Sequence, residues 1–150
     1  MTRPDEDLAQ AEGFRETRMA RGKAAAQDYC ELIADLIEAT GEARAVDIAR
    51  RLGVAHPTVA KTIARLKREG LVRGERYRAL FLTEEGERLA AAARHRHQVV
   101  LRFLEAIGVP EEAARRDAEG IEHHVSEATL DAIARATERL SGPPGRKREQ

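Results

Sequence analysis

A 150-residue chain with 42% hydrophobic side chains can bury one substantial core or two small ones. It has no apolar run approaching the roughly 18 residues of a membrane-spanning helix, and its charged opening M-T-R-P-D-E-D-L lacks a signal-peptide core. Cys30 is the single cysteine, which excludes an intrachain disulfide, so a soluble cytoplasmic protein with no membrane partner is expected.

The formal net charge of zero hides a segregation. Residues 1–40 carry net −4, residues 41–82 net +6, residues 83–140 net −4 and the last ten net +2. A basic segment between acidic ones suits a nucleic-acid reader attached to a cation-binding body, because phosphates and divalent cations need opposite fields.

Residues 1–26 are polar, contain Pro4, Gly13 and Gly22 and show no sustained apolar period, which predicts a mobile N-terminal arm. Organised structure is expected to begin near Gln27. From Tyr29, the apolar positions Leu32, Ile33, Leu36 and Ile37 recur at helical spacing, while Asp28, Glu31 and Asp35 mark a second face until Gly41 stops the helix. The stretch A-R-A-V-D-I-A-R-R-L-G-V gives a short helix with Val46, Ile48, Ala49 and Leu52 as its buried set and Gly53 in a left-handed turn. A second helix, H-P-T-V-A-K-T-I-A-R-L-K-R-E-G, places Pro57 early, turns Val59, Ile63 and Leu66 inward and closes at Gly70.

This helix exposes Thr58, Lys61, Thr62, Arg65 and Arg68, side chains able to reach base edges and phosphates in a major groove. The period then changes. L-V-R-G-E-R-Y-R-A-L-F-L-T has two apolar runs around a polar turn carrying Tyr77 and arginines, which reads as a β-hairpin wing. Pro57, Thr58, Lys61, Thr62, Arg65 and Arg78 form the candidate DNA-binding set. A three-helix core with a basic surface and no partner would share the helix spacing, but the hairpin and the local +6 charge favour DNA.

Thr83, followed by Glu84, Glu85 and Glu87, opens a long helix through Leu89, His97, Val100, Leu101, Phe103 and Leu104 to Gly108. Pro110 starts another that reaches Glu119 to His124, and Ser126 starts a last one with Leu130, Ile133 and Leu140 on one side. Residues 141–150 read as a flexible tail.

Six candidate metal ligands stand in three clusters: Asp28 and Glu31 in D-x-x-E, then His97, then Glu119, Glu122 and His123 in E-x-x-E-H. Spacings of three or four residues put each cluster on one helical face. Four carboxylates and two imidazoles form a hard donor set that points to manganese or ferrous iron rather than structural zinc. D-x-x-E alone reads as a solvated surface helix face. In E-G-I-E-H-H, two carboxylates and two histidines repel when desolvated unless protons or a cation intervene, so a solvated face and a cation site both stand open there. Cys30 lies about 200° around the helix from Asp28, which suits a packing role. His56, His95 and His124 read as bystanders.

From about Gln27 to Leu140 the chain resembles the manganese transport regulator branch of the DtxR-type metal-dependent repressors. The resemblance rests on D-Y-C-E, D-I-A-R-R-L-G-V, R-G-E-R-Y-R-A-L-F-L-T-E-E-G, R-H at 96 and 97, F-L-E-A-I-G-V and E-G-I-E-H-H. It implies a mainly α fold, a winged helix-turn-helix domain at 27–83 followed by an all-helical metal-binding and dimerisation domain at 84–140. It also implies that Asp28, Glu31, His97, Glu119, Glu122 and His123 are the ligands of two Mn(II) ions per subunit. The iron-sensing branch is expected to carry methionine at Asp28 and cysteine at Glu119, so the resemblance favours manganese, with Fe(II) the alternative ion.

The implied function is a Mn(II)-activated repressor of manganese uptake genes, a homodimer on a palindromic double-stranded DNA operator, without enzymatic activity. Metal would fix two recognition helices roughly 34 Å apart or a multiple of it. Rival readings are a ferrous-iron repressor of the same architecture and a metal-independent winged-helix regulator sensing a small organic ligand. A carboxylate-bridged di-iron enzyme is disfavoured, because a helix-turn-helix replaces the further bundle helices such an enzyme needs.

Overall fold

Helix-forming residues dominate the first forty positions, and in the computed structural model, which describes residues 4–75 and 78–142, they form one helix. The elements are α1 (Pro4–Thr40), α2 (Ala45–Leu52), α3 (His56–Arg68), β1 (Val72–Arg73), β2 (Phe81–Leu82), α4 (Glu84–Ala106), α5 (Glu111–Ile121) and α6 (Glu127–Ser141). Tyr77 of the expected wing tip and residues 143–150 of the expected tail lie outside the described residues. The chain divides into two units between Ala91 and Ala92, within α4, later than the expected boundary at 83/84.

The expected arm over residues 1–26 is replaced by helix from Pro4 onward. Proline suits a first helical position, and Asp5, Glu6 and Asp7 complement the helix dipole there. Leu8, Phe14 and Met19 remain exposed on this part of α1. Its helicity thus follows local propensity rather than an amphipathic period. From Ala26 the helix gains a buried face, with Ala26, Tyr29, Cys30, Ile33 and Leu36 all inside.

That face joins Ile48 and Ala49 of α2, Val59, Ile63 and Leu66 of α3, Val72 and Leu82 of the strands and Ala90 of α4 in one core. Fully buried Ile33, Ile48 and Leu66 each contribute about 1.5–3 kcal/mol relative to exposure. Val46 and Leu52, expected inside, are exposed instead. Two turns of α2 offer the core only a narrow face, and Ile48 and Ala49 fill it. Gly53, at φ 65°, ends α2 in the left-handed conformation expected for it.

The strands pair antiparallel, Val72 opposite Leu82 and Arg73 opposite Phe81, in a wing much shorter than the apolar runs suggested. Leu80 N–H donates to Ala43 O at 2.7 Å, which ties the wing to the α1–α2 connection. Thr83 caps α4 as expected, its Oγ1 accepting from Gly86 N–H at 3.1 Å and donating to Gly70 O. Gly86 has no room for a side chain: a Cβ would stand 2.1 Å from Leu71 O.

In the second unit Val100 and Leu104 of α4, Ala114 and Ala118 of α5 and Leu130 of α6 form the core, with Val99, Leu101, Phe103, Val109 and Val125 packed around it. Pro110 N-caps α5, and Ser126 N-caps α6 by accepting from Thr129 N–H at 3.2 Å. No helix among the described residues is long and apolar enough to cross a membrane.

Candidate metal centre and DNA-reading helix

The E-x-x-E-H segment does not lie wholly on a helix face. Helix α5 ends at Ile121, Glu122 is its C-cap, and His123 stands in the turn before α6. Glu119, Glu122 and His123, expected together on one helical face, are thus divided between α5, its C-cap and the turn that follows. The turn still brings Glu122 and His123 beside His97 of α4. His97 Nδ1 lies 3.4 Å from Glu122 Oε2, and His123 Nε2 lies 3.5 Å from Glu122 Oε1. The Glu122 side chain is only 6% exposed, and both imidazoles are largely covered. Each oxygen of a buried carboxylate therefore faces an imidazole nitrogen.

Glu119, three residues earlier on α5, is exposed. In the first unit, Asp28 and Glu31 share a face of α1, Asp28 exposed and Glu31 half-buried. The donor chemistry fits a hard divalent cation: carboxylate oxygens and imidazole nitrogens, with no thiolate among them. Cys30 is fully buried in the first unit's core. Burial, and after it the Glu69 carboxylate, pushes the Cys30 thiol up from 9.0 to about 11. Cys30 is expected to resist thiol reagents in the native protein at neutral pH and to react fully on unfolding. Rapid native labelling in a colorimetric thiol assay would remove it from the core.

Arg96, the first residue of the R-H pair, makes contacts that its sequence context does not signal. Its guanidinium donates from Nε and Nη2 to Glu122 O at 3.2 and 2.8 Å, and from Nη2 to Val125 O at 2.6 Å. Its Nη1 meets Glu127 Oε1 at 2.5 Å. No periodicity signals a contact spanning 26 residues.

On the DNA-reading side, Pro57, Thr58 and Lys61 of α3 are exposed, as is Arg68, and Thr62 is half-buried. Arg78, beyond β1, is exposed and paired with Glu75 at 3.2 Å. Arg65 differs from the others: its Nη2 donates to Gly22 O of α1 at 3.1 Å, and its Nε lies 3.6 Å from Glu69 Oε1. The long α1 thus engages a side chain that sequence reasoning assigned to DNA.

Residues 23–80 match the iron dependent repressor N-terminal DNA binding domain, and residues 83–148 match the iron dependent repressor metal binding and dimerisation domain. A winged helix-turn-helix unit followed by a helical unit of this kind defines a DtxR-type metal-dependent transcriptional regulator. The chain is 56% identical over 128 residues to the transcriptional regulator MntR of Escherichia coli O157:H7, covering 85% of this chain and 83% of the relative. To the HTH-type transcriptional regulator MntR of Bacillus subtilis it is 37% identical over 123 residues, 82% of this chain and 87% of that one. The chain belongs to the MntR branch of the DtxR-type repressors.

Among solved structures, a manganese-dependent transcriptional repressor in complex with manganese matches with TM-score 0.68 and 31% identity, over 79% of this chain and 53% of that one. The manganese regulator SloR matches with TM-score 0.66 and 25% identity, over 74% and 52%. The chain spans about half the length of those two structures.

Proposed function

We propose that this protein is a manganese-responsive transcriptional regulator of the cytoplasm, a Mn(II)-activated repressor of manganese uptake genes that binds a palindromic DNA operator as a homodimer. The observation that carries the reading is the buried Glu122 carboxylate with an imidazole before each oxygen, in a unit that matches a metal-binding domain. In this reading Asp28, Glu31, His97, Glu119, Glu122 and His123 hold two ions per subunit. Bound divalent ions supply the positive charge that cancels the mutual repulsion of the carboxylates. Because this proposed set takes donors from α1 as well as from the second unit, ligation would restrain the DNA-reading units of the dimer at one spacing. A coupling of about 1–3 kcal/mol between metal and DNA follows from such a restraint.

On the DNA side, α3 presents Pro57, Thr58, Lys61 and Thr62 to a major groove, and Arg78 supports phosphate contact from the wing. Arg65 enters this set only if it leaves Gly22 O. An apolar groove between Phe103 of α4 and Ala132, Ile133 and Ala136 of α6 supports a self-association surface in the second unit. The all-oxygen-and-nitrogen donor set favours manganese, while the match to the iron dependent repressor family keeps ferrous iron as the second reading.

The test needs no known operator. Random-sequence duplexes are selected for binding with Mn(II), with Fe(II) under anaerobic conditions, with Zn(II), with Co(II) and with chelator. A palindromic consensus enriched with Mn(II) and absent with chelator is expected. Equal enrichment with chelator would overturn the metal switch, and enrichment confined to Fe(II) would overturn the choice of metal.

A further inference from the structure

We propose that Arg96 is a positioning residue of the metal centre, fixing the Glu122–Val125 turn so that Glu122 and His123 stand before His97 ahead of metal binding. The inference rests on the reading of that site as a metal centre.

The carbonyls of a helix's last turn lack intrahelical partners, and Glu122 stands where α5 ends. Arg96 supplies the donors. Its Nε and Nη2 converge on Glu122 O at 3.2 and 2.8 Å, and Nη2 also reaches Val125 O at 2.6 Å. These three contacts span the turn that carries His123. The fourth partner, Glu127 Oε1, belongs to a side chain 80% exposed, so water weakens that pair and the carbonyl bonds dominate. The Arg96 side chain itself is 13% exposed.

Arg96 and His97 are neighbours on α4, and they address opposite ends of one residue. Arg96 grips the backbone carbonyl of Glu122, while His97 Nδ1 faces its carboxylate at 3.4 Å. A planar guanidinium with a fixed fork of donors can serve two carbonyls at once; a lysine ammonium is a single point. None of these bonds involves a cation, so in this proposal they order the turn before one arrives and leave binding less ordering to impose.

The test is calorimetric titration of Mn(II) into the metal-free full chain, for wild type, Arg96→Ala, Arg96→Lys and Ser126→Ala. Partners behind metal ligands typically set affinity by about 10–100-fold, and a loss in that range is expected for Arg96→Ala. Arg96→Lys keeps the charge and is expected to recover little of it. Ser126→Ala removes the α6 cap while leaving every Arg96 bond in place, and is expected to bind as wild type does. Amide exchange at His124 N–H, which donates to Ile121 O at 3.0 Å, is expected to quicken in metal-free Arg96→Ala.

Unchanged affinity in Arg96→Ala would overturn the proposal, as would full rescue by lysine. So would equal losses in Arg96→Ala and Ser126→Ala that track their unfolding midpoints, the mark of a merely structural role. Should Arg96→Ala fail to fold, the lysine variant carries the measurement, with wild-type affinity again the overturning result. Absence of Mn(II) binding by the wild type would instead overturn the metal reading itself.

Discussion

Replacing Glu122 with glutamine is expected to lower Mn(II)-dependent operator affinity by about 100-fold or more, a larger loss than the 10–100-fold typical of partners behind the ligands. The substitution keeps the shape of the side chain but removes its charge, and turns one acceptor oxygen into an amide donor that cannot ligate a cation. Fluorescence anisotropy on a selected operator duplex, with Mn(II) or with chelator, measures the effect; a variant as metal-responsive as wild type would remove Glu122 from the ligand set. Because Glu122 is buried, circular dichroism must first show the variant folded. Glu119→Ala repeats the test at an exposed residue, where truncation leaves the core intact and a lost metal response points directly to ligation.

Gly86→Ala is expected to destabilise the first unit by about 3 kcal/mol, at the upper end of what one excess methyl does in a packed site. The new Cβ would stand 2.1 Å from Leu71 O and 3.2 Å from Leu82 Cδ2. Leu71 O already accepts Thr83 N–H at 3.0 Å, so its displacement also disturbs the entry to α4. Gly120→Ala is the control. Gly120 lies in α5 with nothing within 4 Å of the added atom, and there alanine is expected to stabilise by roughly 0.4–1 kcal/mol. Urea denaturation of the two variants checks the pair; similar midpoints would contradict the packing at Gly86.

The same two glycines show what the sequence could disclose. Both sit in helices among polar and charged residues, and no local pattern separates the one pressed against a carbonyl from the one in open space. Features written in short-range chemistry were legible: the left-handed stop at Gly53, the inward Val59, Ile63 and Leu66, the Thr83 and Ser126 caps, and the buried Cys30. The helix over residues 4–26 was missed because uniform local propensity leaves no hydrophobic period to detect. The halved burial of α2 was missed because its burial depends on how much of its surface the core admits.

At the candidate metal centre, donor type and rough spacing were readable, but the end of α5 at Ile121 was not. Glycine at 120 and the run of polar residues after Ile121 carry no definite stop. What arranges Glu122 and His123 is a guanidinium 26 residues upstream, a relation that exists only in three dimensions.

The bond from Arg65 to Gly22 O bears on how the recognition helix meets its duplex. A guanidinium held by the chain's own backbone is less free to reach a phosphate, so under the proposed reading α3 would enter a groove with Lys61 and Arg68 as its exposed cations. Fewer phosphate contacts from α3 would give its share of the binding a shallower dependence on ionic strength. Under that reading, discrimination between sequences by α3 would rest on groups such as the hydroxyl and methyl of Thr58, which salt hardly touches.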